Sequence, residues 1–338
     1  MNYFLLLLAS LLPNEPTIID LCSVAPDDNA IEEIMVQHAI PRIDVAVIKD
    51  FQLTETGNCL LAPNESKQNL FNVASLAKPV FAVLVLRLVD SGQWQLDQPL
   101  DLEVIAPELS KHPWANALTT RSILAHRSGL PNWRSGEHLE FEFKPSTQMS
   151  YSGEGFELLQ NAIEDKTGEP IQKLAEQLIF AEADLEQIHF ELASSQQEQH
   201  VVPWYDKAAK AYPMHHHDSA SAADNLLASI RDYGKFITFV MTKAHLSDAL
   251  FDEMLTPQGS VDDAFQMGLG WELISSQQKS LRVVLHSGAD KGTNTIALFS
   301  MATGEGLVIF TNSDNGKQAY APLIRHYLSF ADVLFNTN

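Results

Sequence analysis

Apolar positions recur along this chain in two rhythms, and their order along the sequence predicts its elements. Residues 29–39, "NAIEEIMVQHA", place Ile31, Ile34, Met35 and His38 on one side of an amphipathic helix. "RIDVAVIKD" (42–50) has strand composition followed by a turn, and "CLLAP" from Cys59 reads as a second strand. After Ser75 the run "PVFAVLVLRLVDSG" is apolar apart from Arg87 until Asp90 and Gly92 end it. A helix apolar on all faces belongs in a protein core, and this one is too short to span a membrane. Between residues 100 and 225 the patterns are mostly helical, as in "TTRSILAHRSG" and "GFELLQNAIEDKTGEPIQKLAEQLI". "SAADNLLASIRDYGKFITFVMTKA" then reads as a long helix beginning in polar caps. The last hundred or so residues change rhythm: "SLRVVLHSG", "NTIALFSM" and "GLVIFTNS" are strands, the last two joined by the turn "ATGEG". "QAYAPLIRHYLSFADVLF" closes the chain as a helix.

Strands at both ends and helices in the middle predict an α+β fold. Its sheet is mainly antiparallel, built from both chain ends and covered by the terminal helices, with an inserted all-helical lobe. The corresponding division is 23–100 with 226–338 for the sheet lobe, and 101–225 for the insert. An active site is expected in the cleft between them. Residues 1–22 read as a candidate leader: Phe4 to Leu12 is apolar over signal-peptide length, without a basic start or an A-x-A cleavage site. Export would make the protein periplasmic or secreted; without it the protein would be cytoplasmic. No later segment reads as membrane-spanning.

Composition narrows the function. The chain has 338 residues, 45% hydrophobic and 19% charged, enough for a large core. A net charge of −21 spread along the sequence argues against nucleic-acid binding and reads as a solvated acidic surface. The two cysteines, Cys22 and Cys59, form neither a disulfide framework nor a zinc site. They could pair in an oxidising compartment or remain free as small buried apolar groups.

The chemistry begins at "ASLAKP", residues 74–79. Proline is tolerated only in the first turn of a helix, so Pro79 places the helix start near Ser75. There, free amides and the positive dipole end favour developing negative charge. Lys78 lies one turn on along the same face, and apolar surroundings would push its pKa towards a proton-accepting form. Taken alone, the stretch reads equally as a capping serine and a snorkelling lysine. A second Ser-x-x-Lys, Ser276 to Lys279, sits among Gln and Ser and reads as a solvated turn. "MSYSGEGFELLQ" (149–160) puts Tyr151 in a small polar turn before a helix, either exposing a phenol for chemistry or anchoring the loop. In "LHSGADKG" (285–292), Gly288 allows close approach to a strand edge, so a carbonyl could reach the N–H of Ala289; a strand-ending turn would use the same residues.

Together and in order, these segments resemble the serine β-lactamase and penicillin-binding-protein superfamily, especially its class C-like, DD-peptidase and esterase branches. "FNVASLAKP" is similar to its nucleophile segment, and "ILAHRSGLPNW" to its "LLTHTSGLP"-type stretch. "KPSTQMSYSGEGFELLQ" is similar to its tyrosine segment, and "MGLGW…LHSGADKG…GLVIFTNSDNG" to its third-motif strand and neighbours. The resemblance spans about residues 28–330. It implies that Ser75 attacks a carbonyl to form an acyl-enzyme and that Lys78 takes or relays its proton. Tyr151 would act as partner base and later protonate the leaving group. The backbone N–H groups of Ser75 and Ala289 would form the oxyanion hole. Gly153, His286, Ser287 and Gly288 occupy the substrate-binding positions, and no metal or other cofactor is implied.

Two departures bear on the substrate. Gly153 stands at the asparagine of Tyr-x-Asn, whose amide contacts the substrate's amide side chain. His286-Ser287-Gly288 replaces Lys-Thr-Gly, and a histidine of ordinary pKa anchors a carboxylate poorly. Both weaken recognition of β-lactams and acyl-D-Ala-D-Ala peptides and leave the acyl-transfer groups intact, which favours esters. Lys291 is a candidate to compensate. "MHHHDS" (214–219) lacks the ligand spacing of a zinc site, and the roles of His215, His216 and His217 stay open. His126 reads as a structural, hydrogen-bonding residue, and Trp133 beside it as a candidate lining residue. The sequence therefore predicts a metal-independent serine hydrolase acting through acyl-Ser75 on a small-molecule or peptide substrate: a β-lactam, a D-amino-acid peptide or a small carboxylic ester. The competing reading is a non-catalytic relative that binds cell-wall fragments or a partner.

Overall fold

Along residues 43–48 the side chains divide between two buried clusters: Ile43, Val45 and Val47 in one, Ala46 and Ile48 in the other. Leu307 and Ile309 divide in the same way from Val308 and Phe310. Successive side chains of a strand point to opposite faces, so both segments lie in a sheet covered on both sides.

The structure is a computed structural model that describes residues 15–26, 30–61, 67–136, 138–192, 198–214, 219–260, 265–275 and 281–335. Its strands are β1 (Thr17–Asp20), β2 (Arg42–Lys49), β3 (Gln52–Leu60), β4 (Phe71–Asn72), β5 (Ile188–His189) and β6 (Leu227–Ala228). They continue as β7 (Gly259–Ser260), β8 (Phe265–Met267), β9 (Glu272–Ser275), β10 (Arg282–Asp290), β11 (Thr293–Ser300) and β12 (Glu305–Thr311). Nine of them form one sheet in the order β1-β3-β2-β12-β11-β10-β9-β8-β7. All its pairs are antiparallel except β1 with β3. The α+β fold read from the sequence is the one observed, with the pairing of β2 and β12 joining the two chain ends within the sheet. The helices used below are α1 (Ile31–His38), α2 (Ala77–Asp90), α3 (Gly153–Thr167), α4 (Ile230–Met241) and α5 (Tyr320–Tyr327).

Helices α1 and α5 cover one face, where Ile31, Met35, Leu323 and Ile324 join Val45, Val47, Leu307 and Ile309. The other face carries α2, α3 and α4. From Ala77 to Leu86 every residue of α2 is buried, including Lys78. Arg87, the one charge breaking the apolar run, escapes by donating from Nη1 to the His245 carbonyl at 2.8 Å. Among the described residues no helix is long and apolar enough to cross a membrane.

Two helices are shorter than their patterns. The stretch from Ser219 becomes α4 only at Ile230, where Ser229 caps the helix by accepting from Asp232 N–H at 3.1 Å. The residues before it instead run past Lys78 and form β6, which pairs with both β4 and β5. This three-stranded sheet joins the region read as a helical insert to the chain on either side. The closing helix breaks at Leu328, whose backbone is extended (φ −116°) and whose side chain is buried. Just beyond, Ser329 Oγ donates to Glu305 Oε2 at 2.5 Å.

The segment read as a leader reaches into the sheet. Thr17–Asp20 pairs in parallel with Glu55–Asn58, and Cys22 is disulfide-bonded to Cys59. Cys59 is fully buried, so the bond anchors this edge to the core. Closing a loop across 37 positions corresponds to about 4 kcal/mol in the chain-entropy account. Reduction is therefore expected to lower Tm clearly in a thermal melt with and without dithiothreitol, and the Cys22→Ser protein should lose its response to the reductant.

Candidate active site

The site forms where α2 begins. A single 3₁₀ turn, Ala74–Leu76, precedes the helix, and Pro79 lies in the first helical turn as its fixed φ requires. Ala74 adopts φ +50°, a left-handed conformation that costs a side-chain-bearing residue. Its N–H is held by Asn72 Oδ1 at 2.8 Å, and the neighbouring Val73 carbonyl by Thr295 Oγ1 at 2.8 Å. Tyr233 OH donates to the Leu76 carbonyl at 2.8 Å. Three buried side chains thus fix the turn that carries Ser75.

Lys78 Nζ lies 3.1 Å from Ser75 Oγ and 2.6 Å from the Ala223 carbonyl oxygen. It also stands 4.8 Å from the centre of the Tyr151 ring and 5.7 Å from that of Phe156. Burial pushes its pKa down to about 7, against the opposing pull of Asp224 and Glu157. With one N–H taken by Ala223, a neutral amine can turn its lone pair to the Ser75 hydroxyl. Glu157 is itself raised by burial, and Ser221 Oγ donates to its carboxylate.

Tyr151 leads into α3, whose N-cap Ser152 accepts from Gly155 N–H at 3.0 Å. Its ring stacks on His126 at 4.1 Å. Burial raises the phenol's pKa, and the Ser75 hydroxyl opposes the shift from outside normal hydrogen-bond geometry. His126 Nδ1 accepts from Ser152 N–H at 3.0 Å while its carbonyl accepts from Ser150 N–H at 2.9 Å, so the ring clamps the tyrosine turn. Burial holds His126 neutral, which leaves the ring proton on Nε2.

Strand β10 passes alongside. A Cβ on Gly288 would lie 2.4 Å from the Val73 carbonyl oxygen, 2.5 Å from Thr295 Oγ1 and 3.1 Å from Ser75 N. The absence of a side chain there lets the strand approach the amide of Ser75. Pairing with β9 ends at Leu285 opposite Glu272, so among the described residues 286–290 have no strand partner on that edge. Ser287 is half-buried and Ala289, next after Gly288, is exposed. Gly288→Ala is expected to push the strand off the Ser75 amide and lower kcat roughly 10²–10³-fold, the scale of a lost oxyanion donor. Steady-state kinetics on an activated ester, with a thermal melt to verify folding, measures this.

Two positions read as substrate contacts are built differently. His286 is fully buried, its Nδ1 is 2.9 Å from the Ser287 carbonyl oxygen, and its ring centre is 6.1 Å from that of Tyr151. Burial and the nearby Lys78 push its pKa down to about 3, so the ring is neutral and supplies no charge for a carboxylate. Gly153 is buried, its N–H is taken by Asn132, and a Cβ there would lie 2.9 Å from a ring carbon of Trp133. Lys291 is exposed beyond the strand. His215, His216, His217 and the Ser276–Lys279 pair lie outside the described residues. Neither the Ala223 carbonyl nor the Ser221–Glu157 pair is legible from the sequence, because a backbone oxygen and a surface-type Ser/Glu combination carry no motif.

The sequence profile of the Beta-lactamase family matches residues 28–331. The chain belongs to the beta-lactamase family. A Pseudomonas fluorescens protein named Beta-lactamase is 24% identical over 265 residues, covering 73% of each chain. Penicillin-binding protein 4* of Bacillus subtilis is 24% identical over 300 residues, covering 77% of this chain and 65% of its own. Other relatives are named as a D-alanyl-D-alanine-carboxypeptidase/endopeptidase and an esterase. The solved structure of an octameric penicillin-binding protein homologue from Pyrococcus abyssi superposes with a TM-score of 0.75. It covers 91% of this chain and 76% of that one, and at 19% identity the likeness speaks to the fold alone. Members of this family with hydrolytic names thus surround the chain at low identity.

Proposed function

We propose that this beta-lactamase family member is a serine hydrolase that cleaves small carboxylic esters through an acyl-Ser75 intermediate. The observation that carries the reading is the buried Lys78 amine, 3.1 Å from Ser75 Oγ and poised near pH 7 at the start of α2. Neutral Lys78 accepts the serine proton as Oγ attacks the ester carbonyl. The developing oxyanion lies between the N–H groups of Ser75 and Ala289, at the positive end of α2. Tyr151, whose burial keeps the phenol protonated, gives its proton to the departing alkoxide and regains one from the Lys78 ammonium. Water then attacks the acyl-serine with Lys78 as base, releasing the acid and restoring Ser75. The net change is ester plus water to acid plus alcohol, with no external oxidant or metal in the balance.

Esters are favoured over β-lactams and D-Ala-D-Ala peptides for two reasons. Neutral, buried His286 leaves the Lys-Thr-Gly position without a cation, and a net charge of −21 disfavours anionic substrates. The Cys22–Cys59 disulfide supports a periplasmic or secreted location, since such bonds persist in oxidising compartments. The test compares hydrolysis of p-nitrophenyl acetate with that of benzylpenicillin, using wild type and Ser75→Ala. Ester turnover that depends on Ser75 and exceeds penicillin turnover is expected. The reverse preference would overturn the assignment to esters, and turnover that survives in Ser75→Ala would overturn the assignment of the nucleophile.

A further inference from the structure

Trp133 is 50% exposed, yet the residues on both sides of it are tied down. The Asn132 carbonyl accepts from the N–H groups of Gly153 and Glu154, each at 3.0 Å, and Asn132 Oδ1 lies 3.0 Å from the same Gly153 nitrogen. On the other side, Arg134 donates its backbone N–H to Glu154 Oε1 at 3.0 Å. Its Nε and Nη2 reach Glu154 Oε2 at 2.9 and 2.6 Å. The Glu154 side chain is only 8% exposed, so this ion pair is shielded on the carboxylate side. The first turn of α3 therefore grips Asn132 and Arg134 and presents the indole between them.

The indole lies where the motif would direct another side chain. A Cβ built on Gly153 would be 2.9 and 3.0 Å from Trp133 Cη2 and Cζ2, so the six-membered ring occupies the exit from position 153. That position is two residues after Tyr151, where the Tyr-x-Asn pattern supplies an amide. Here the amide is absent, the Gly153 and Glu154 N–H groups are already taken, and a flat apolar surface stands in their place. An exposed aromatic whose backbone is anchored on both sides is already in place when a ligand packs on it, a property of binding sites.

We propose that Trp133 is the specificity-determining wall of the acyl subsite, selecting esters whose acyl group is flat and apolar over those with a small or amide-bearing acyl group. This inference rests on the acyl-Ser75 reading above. Expected is a kcat/KM for p-nitrophenyl benzoate relative to acetate that falls roughly tenfold to hundredfold in Trp133→Ala, the range one hydrophobic pocket contact supplies. Trp133→Phe should retain most of the preference. An unchanged ratio in Trp133→Ala would overturn the proposal. A second measurement does not depend on turnover: calorimetry of methyl benzoate and methyl acetate binding to Ser75→Ala, with and without Trp133→Ala. Preference for the benzoate ester that vanishes with Trp133 supports the subsite even if no ester is hydrolysed. Equal binding of the two esters by Ser75→Ala overturns it, whatever the kinetics of the wild type.

Discussion

Replacing Lys78 with alanine is expected to lower kcat/KM for an activated ester roughly 10²–10⁴-fold, the range for loss of a positioned general base. The magnitude follows from the position of the amine, 3.1 Å from Ser75 Oγ, and from a pKa that burial brings down to about 7. The base form is the neutral amine, so wild-type kcat/KM should rise with pH through about 7 and level off above it. As pH falls below that value the amine takes up a proton and the rate is lost. Lys78→Ala should lack this limb. Lys78→Arg should not rescue it, because a guanidinium stays protonated throughout. A wild-type profile that keeps climbing to pH 10 would contradict a base brought down to about 7 by burial.

The largest expected effect on stability lies away from the cleft. Arg42 and Asp44 face each other on β2, joined by Nε to Oδ1 at 2.6 Å and Nη2 to Oδ2 at 2.8 Å, with side chains 3% and 4% exposed. Arg42 also donates to the Gln68 carbonyl and lies over the Phe71 ring. Burial raises the Asp44 pKa in spite of Arg42, which marks the pair as costly to enclose. Asp44→Ala would take the paired carboxylate away from a buried guanidinium and is expected to cost about 3–5 kcal/mol, read as a shift in the urea midpoint at unchanged slope. Replacing both residues by leucine or methionine should recover much of that loss. A double variant as unstable as Asp44→Ala would show that the ion pair itself, not the loss of the carboxylate beside a buried charge, accounts for the stability.

The fold was legible where a single rhythm governs an element. The strand composition of residues 42–50 and of "GLVIFTNS" predicts two strands that the structure buries on both faces, and Pro79 fixes the start of α2. Legibility fails where a tertiary contact overrides the local pattern. The residues after Ser219 have helical spacing, but the Ala223 carbonyl is drawn to the Lys78 amine, and the helix waits for the cap at Ser229. In the site, sequence order marks Ser75, Lys78, Tyr151 and Gly288, and the fold brings all of them together. It does not reveal that His286 is sealed behind the site, because burial belongs to the packing and not to the residue type. The Trp133 clamp was equally hidden, since it depends on Asn132 and Arg134 meeting the first turn of a helix about twenty residues further on.

The covalent intermediate is the centre of the account, and intact-protein mass spectrometry tests it most directly. Wild-type protein is mixed briefly with p-nitrophenyl benzoate, quenched in acid and weighed beside Ser75→Ala. The account predicts a single benzoyl adduct that maps to the peptide containing Ser75 and is missing from the variant. An adduct that persists in Ser75→Ala, or one that maps to a peptide without Ser75, would contradict it.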